Sequence, residues 1–355
     1  YQTTLLTKSK TCAATRTAGG MLTPAAEIET AESVLIQFAQ ASCSHYPEFV
    51  ESIAKHSEQK CEYSHSGTLL LALHRDHQND LRYLAQAQRA AGLQVQELTR
   101  REVLQKEPNL HNQVVGALFA ENDHHINPRA LHHALGIALE KLGIQTIQAQ
   151  TIELVHDHQK ISAVNYTHDD ISSAINATNV IACAGAWTNE LLPKALQLPA
   201  KPVKGQFLRL VGEPLIQQVI RTPDVYLIPR ADGELYVGAS VEDQGFNEEQ
   251  TAGGIMELLY HAWRALPGTY EMTLVEQGVG FRPSLRDNLP AIGRTPIEGL
   301  LLATGHYRHG IMLAPETSRL MVDILAGRHN PFTEAFAPSR FWGKPNATHP
   351  LQEVA

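Results

Sequence analysis

The stretch "TGHYRHGIMLAPETS" constrains this chain more than any other. An apolar run, Leu300–Thr304, stops at Gly305; after a short loop, Gly310 opens a long segment that ends at Gly327. Strand, tight loop and helix in that order are the repeating unit of an α/β fold. The alternation recurs upstream. "NDLRYLAQAQRAAG" places Leu81 and Leu84 on one stripe with the alanines that follow, and Gly92 closes it. "TRREVLQKE" opens with a capping box, Thr99 and Glu102. "INPRALHHALGIALEKLG" has Asn127 as N-cap, Pro128 in the first turn, a stripe of Leu131, Leu135, Ala138 and Leu142, and Gly143 as its stop.

Two stretches read differently. About 43–122 and 196–277 carry meandering strands, among them "KPVKGQFLRLV", "VYLIPR" and "GELYVGAS", with "RADGEL" as a turn signal. Helix-rich material lies at both ends and in the middle. That interleaving predicts two lobes between which the chain passes back and forth.

Composition closes off other classes. A formal charge of −8 argues against nucleic-acid binding, which needs clustered cations. No apolar run approaches the roughly 20 residues that span a bilayer, and no charged-then-apolar leader stands at the start, so a cytoplasmic protein is the expectation. The four cysteines, Cys12, Cys43, Cys61 and Cys183, form no CxxC pair and read as reduced thiols, with Cys183 buried at a strand end. The 18 histidines show no HExxH or converging spacing and read as solvent-facing, with no metal site. GxSxG, GxxxxGK[ST] and GxGxxG are all absent.

Two places remain where chemistry fits. The segment Gly305–Met312 leads into a helix N-terminus, whose free N–H groups suit a ligand edge that becomes anionic; an ordinary crossover reads equally well. Arg282, between two glycines and Pro283, suits planar two-pronged binding of a carboxylate, and Arg308 offers a second prong. Structural ion pairing is the alternative for both, and Arg286–Asp287 reads as a local pair of that kind.

"AGGML" (Ala18–Leu22), "NPRAL", "IACAGAW", "PVKGQ", "VYLIPR", "GFRP...DNLPAIG" and "TGHYRHGIMLAP", in this order over residues 1 to about 330, resemble the flavin-dependent D-amino acid oxidase superfamily, and within it the glycine oxidases of the thiamine pathway. The resemblance implies a Rossmann-like FAD-binding domain (1–42, 123–195 and 278–330), incomplete at its N-terminus, interleaved with an antiparallel-sheet substrate domain (43–122 and 196–277) and followed by a tail, 331–355. It implies substrate contacts from Tyr226, Arg282, Arg308 and Met21. It places Ala18, Gly19, Gly20 and Met21 against the flavin, together with Gly305, His306, Tyr307, Arg308, His309, Gly310, Ile311 and Met312. Ile152 would meet the adenine, and Ala184, Gly185 and Trp187 the ribose and pyrophosphate. The implied reaction oxidises glycine or a small amino acid with oxygen to an imine, with hydrogen peroxide as co-product. Hydride transfer from Cα to a flavin needs a carboxylate clamp and no protein acid or base. Alternatives on the same fold are a D-amino acid or sarcosine-type dehydrogenase with another electron acceptor, and a cofactor-free homologue acting as a binding protein. Family relatives are often tetramers, so a homo-oligomer is compatible.

One family element is absent. Members begin with a strand, GxGxxG, a helix and a second strand ending in an acidic residue that holds the ribose. This chain starts in what aligns with that second strand, and Thr7 stands at the acidic position. The expectation is a fragment lacking about 30 upstream residues and binding FAD weakly by itself; clipping and a natural flavin-free relative are the other readings.

Overall fold

The computed structural model describes residues 2–8, 11–28, 33–157 and 159–342. Its largest sheet has eight strands, in the spatial order Thr273–Leu285, Ala200–Val211, Glu234–Gly238, Tyr226–Pro229, Val219–Arg221, Thr68–Ala72, Gly116–Ala120 and Gln96–Thr99. All neighbours are antiparallel except Val219–Arg221 with Thr68–Ala72. The sheet buries Leu208, Leu210, Leu227 and Val237 against Leu258, Ala262 and Ala265, the apolar stripe of helix Ala252–Ala265.

The second body is helical and parallel-stranded. Helices Ser33–Ser57, Pro128–Lys141 and Gly310–Ala326 pack around Phe38, Tyr46, Leu131, Leu313 and Leu320. Thr4–Thr7 runs parallel to Gln145–Gln148, and Val180–Ala182 parallel to Leu300–Thr304. Among the described residues each of these first strands, Thr4–Thr7 and Val180–Ala182, has a neighbour on one side only. A three-stranded meander, Thr151–His156, Ile161–His168 and Ile171–Asn176, flanks this body. The fold is the expected mixed α/β architecture with a large antiparallel sheet.

Local signals are realised as read. Asn127 accepts from the Arg129 amide at 3.0 Å, and Thr99 and Glu102 form the reciprocal capping box. Other expectations fail where tertiary packing decides. The boundaries at 42/43 and 277/278 fall inside the continuous helix Ser33–Ser57 and the continuous strand Thr273–Leu285. The first part of the tail is core: Phe336 is buried against Phe38, and its carbonyl accepts from the Ile292 amide. Residues 343–355 lie outside the described residues. Cys183 is exposed, because its strand stops at Ala182 and leaves the sheet's edge uncovered. Asp287 pairs with Arg340, not Arg286, since the 338–341 turn brings Arg340 across Leu289 and Pro290. His132 and His133 are exposed as expected, but His125 and His309 are buried, and Leu142 at its helix end is exposed.

Candidate active site

Strand Thr273–Leu285 is the floor on which the candidate residues meet. The Phe281 amide donates to Cys12 O, and Thr17 lies so close over Gly280 that a Cβ there would fall 1.9 Å from its hydroxyl. At the other end of the strand, the Tyr307 amide donates to Pro283 O at 2.9 Å, while Leu285 packs under Gly305. One strand therefore holds both the 11–20 segment and the 305–309 loop.

The Ala18–Met21 loop is pressed onto the substrate-side sheet. A Cβ at Gly19 would meet Ile228, Tyr226 and Tyr236 within 3.2 Å. Gly20 has φ +75, and a Cβ there would lie 2.1 Å from Ile126 O, so both its conformation and its space exclude other residues. The loop continues as strand Met21–Leu22, antiparallel to His124–Ile126. Met21 and Tyr226 pack on the same cluster as Phe207, Ile228 and Tyr236. The Tyr226 and Tyr236 rings are parallel, and the Tyr236 hydroxyl donates to Thr17 O at 2.6 Å. Burial pushes the Tyr236 hydroxyl well up, with Tyr226 reinforcing the shift and the positive charges of Arg282 and Arg230 opposing it.

Arg282 donates one Nη1 to two backbone carbonyls, Lys204 O at 3.2 Å and Ser240 O at 3.0 Å. Gly205 makes room, since a Cβ there would stand 2.5 Å from the guanidinium. The Ser240 turn is itself locked. Ser240 donates to Glu242, the Gln206 amide donates to Ser240 Oγ at 2.8 Å, and the fully buried Lys204 reaches Glu249 O at 2.6 Å and Glu242 at 3.5 Å. Among the described residues Arg282 Nη2 has no hydrogen-bond partner, on a guanidinium whose orientation the backbone fixes. A cavity of about 630 Å³ opens past the end of the two strands, lined by Val203, Val241, Ser284, Leu285 and Tyr307 among others but not by Arg282 itself. Val203 is the register partner of Arg282, so the guanidinium's strand position lies next to this lining.

The Gly305–Met312 segment runs from loop to helix. Tyr307 takes φ +49, sparsely populated for a ring residue, and Arg308 lies over its ring at 5.3 Å. His309 is the N-cap of Gly310–Ala326 but makes no side-chain cap, so first-turn N–H groups stay unpaired. The carbonyls of Ile311 and Met312 accept from Tyr46 and Ser42, which pins this end to helix Ser33–Ser57. Burial lowers both His306 and His309 to about 4, with His309 adding to the shift at His306 and, at His309, Glu27 opposing it and Arg308 reinforcing it, so both imidazoles are neutral at pH 7.

Arg308 is not free. Its Nε lies 3.5 Å from Glu27 Oε2, and Glu27 Oε1 accepts from Arg221 Nε at 2.8 Å. Burial alone would raise the Glu27 carboxyl, but Arg221, Arg308 and His309 outweigh it and hold it below the usual range. Glu27 ends a turn, Pro24–Glu27, whose Ala25 and Ala26 amides donate to the buried Asp123 carboxyl at 3.2 and 2.8 Å.

The remaining segment joins through threonines. Thr304, just before Gly305, donates to Gly185 O at 3.1 Å and meets Thr188 at 2.9 Å. Ala184, Gly185 and Trp187 are half-buried; Gly185 has φ +55 with open space where a Cβ would stand. Ile152, also half-buried, sits in the meander strand that touches the Thr188–Leu191 turn. The structure brings Met21 and Tyr226 into one cluster level with the middle of strand Thr273–Leu285, places Arg282 toward the end of that strand and Arg308 on the loop tied to Pro283, and leaves Ala184–Trp187 joined through Thr304 and Ile152 farther out.

Sequence reading passed over four residues. Glu27, Arg221 and Asp123 are described above. The fourth, Arg230, donates to Gly19 O, to Ile126 O at 2.9 Å and to His125 at 3.1 Å, tying the glycine loop to its neighbouring strand. Burial brings its guanidinium down to about 10. It lies in "VYLIPR", so its motif was noted while its partners, more than 100 residues away, were not.

Among the described residues no group of His, Cys, Asp and Glu could hold a metal ion, and no helix is long and apolar enough to cross a membrane. A family model described as FAD dependent oxidoreductase, DAO, matches residues 1–324. The chain is 32% identical over 361 residues to the bifunctional protein ThiO/ThiG of Trichormus variabilis, covering 97% of this chain and 52% of that protein. It spans about half the length of the bifunctional curated relatives it matches. It is 30% identical over 334 residues to the glycine oxidase of Bacillus licheniformis, covering 92% of this chain and 87% of that one. The crystal structure of glycine oxidase from Geobacillus kaustophilus superposes with a TM-score of 0.86 at 28% identity, over 94% of this chain and 90% of that one. The chain belongs to the DAO family of FAD-dependent oxidoreductases, related to the glycine oxidases.

Proposed function

We infer that the chain oxidises glycine or another small amino acid to the imine, which water converts to the 2-oxo acid and ammonia, with oxygen reduced to hydrogen peroxide. The observation that carries this is the Arg282 guanidinium, fixed by Lys204 O and Ser240 O through Nη1 alone among the described residues, with Tyr236 standing between its field and the Tyr226 ring. A carboxylate is the group that geometry suits.

The residues around this point fit a flavin. The helix at Gly310 presents uncapped amides, the Gly19–Gly20 backbone lies flat against the sheet, and Gly185 faces open space. Those amides suit an electron-rich ring edge, and Ala184–Trp187 would lie along the cofactor's sugar and phosphates. FAD held there would supply the two-electron acceptor that oxidation at Cα requires. The protein's own part is orientation: Arg282 and Tyr226 hold the carboxylate, Met21 packs beside Tyr226, and the neutral His306 and His309 add no competing charge near the helix end. No acid or base is needed if the amine enters uncharged. The ThiO/ThiG relatives support a role in thiamine biosynthesis, in which the imine is the useful product.

The test is hydrogen peroxide and glyoxylate release when glycine is added to the FAD-loaded protein. Arg282→Ala should raise KM for glycine about a hundredfold with a smaller change in kcat. Absence of peroxide from the wild-type protein overturns the reading, and an unchanged KM removes Arg282 from the clamp.

A further inference from the structure

Glu27, Arg221 and Arg308 form a cluster that an amine-oxidation site has no evident need for. Glu27 is nearly buried, with 6% of its side chain exposed, while 32% of the Arg308 side chain is. The carboxylate is unequally shared. Arg221 donates to one oxygen at 2.8 Å, whereas Arg308 stands off the other at 3.5 Å, beyond a good hydrogen bond. Arg221 is the firm anchor and Arg308 the loosely held partner.

Placement gives the cluster its meaning. Arg221 is directly opposite Tyr226 in register. Arg308 follows Tyr307, which lines the cavity and whose amide is fixed to Pro283, the residue after Arg282. The cluster thus closes one side of the site that contains Tyr226 and Arg282. Arg282, Arg221 and Arg308 approach this region, with Arg230 behind the glycine loop, and Glu27 is the carboxylate that faces Arg221 and Arg308.

We propose that Glu27 sets the charge selectivity of the pocket, by holding Arg308 aside so that Arg282 binds one carboxylate and a second anionic group on the substrate finds no free guanidinium. The inference rests on the carboxylate-clamp reading of Arg282. Glu27 acts through Arg308 and touches no substrate, so it is a positioning residue. Its neutralisation would release Arg308 into the site and admit dianionic amino acids. Loss of Arg221 would do the reverse, since Glu27 would then act on Arg308 alone.

Acetate and malonate serve as inert probes of one and two carboxylates, their binding to the FAD-loaded protein measured by calorimetry. Glu27→Gln should raise the malonate-to-acetate affinity ratio about tenfold, and Arg221→Met should lower it. A general structural loss would weaken both probes together and leave the ratio fixed. An unchanged ratio in Glu27→Gln overturns the proposal. If that variant does not fold, an unchanged or raised ratio in Arg221→Met does so. Separately, acetate binding that survives Arg282→Ala intact would sink the clamp reading itself, whatever the ratios show.

Discussion

Asp123 is a carboxylate with almost no water around it, at 2% exposure, and it holds the turn that carries Glu27. Burial raises its pKa to about 7, against the opposing pull of the Ala25 and Ala26 amides. The folded value thus exceeds the unfolded one. The associated stability is fully present below pH 3.8 and is lost as pH rises through about 7. Asp123→Asn should therefore flatten the decline, and urea midpoints at pH 5 and pH 8 should converge in the variant. A pH difference as large as in the wild-type protein would remove Asp123 from this role. Nothing in the sequence marks this residue. Its partners lie 98 and 97 positions away, and those of Arg230 and Arg221 are farther still. Such pairings exist only after the chain has folded. The superfamily pattern marks Arg282 and Tyr226 as candidates in the sequence; it does not mark Asp123, Arg221 or Arg230, whose partners only the fold supplies.

Elements show the same division between local and distant causes. Caps at Thr99 and Asn127 could be read in advance, because each is complete within a few residues. The core position of Phe336 could not, because it depends on Phe38 across the fold. Between helix Pro128–Lys141 and strand Thr273–Leu285, Glu276 accepts from Arg129 at 2.6 and 2.8 Å and from Arg209 at 2.6 Å. The Arg129 hydrogen bonds, with Arg209 adding to them, outweigh partial burial and bring the Glu276 carboxyl down to about 2. This sign is opposite to that of Asp123. The contribution is present above pH 4.5 and is lost as pH falls through about 2. Glu276→Gln should make the acid limb of unfolding shallower, measured by circular dichroism between pH 5 and about 2. An acid midpoint and slope equal to those of the parent would show that this clamp does not join helix to sheet in solution.

For the whole molecule, ligation and stability are one quantity. A cofactor that binds only the folded chain adds about 2.7 kcal/mol at a hundred times its Kd, so FAD should raise Tm in a concentration-dependent way. Arg230 ties Gly19 O to the His124–Ile126 strand, and Arg230→Met should lose part of that increment as the glycine loop loosens. Equal Tm shifts with and without the change would assign Arg230 to the sheet alone. Composition shifts near 42/43 and 277/278 were visible in the sequence, but helix Ser33–Ser57 and strand Thr273–Leu285 run on through both positions.

That continuity has a mechanical consequence. Strand Thr273–Leu285 runs unbroken from the Glu276 clamp, past Arg282, to the contacts with Tyr307 and Gly305. A hinge needs a compliant joint, and from Glu276 to Leu285 this strand is paired without a break to Ala200–Arg209, its one register shift lying before that, between Glu276 and Leu274. The 11–20 segment and the Gly305–Tyr307 loop are therefore welded to one spar. Any shift of Arg308 relative to Arg282 falls to the short link after Tyr307 and not to the strand beneath it.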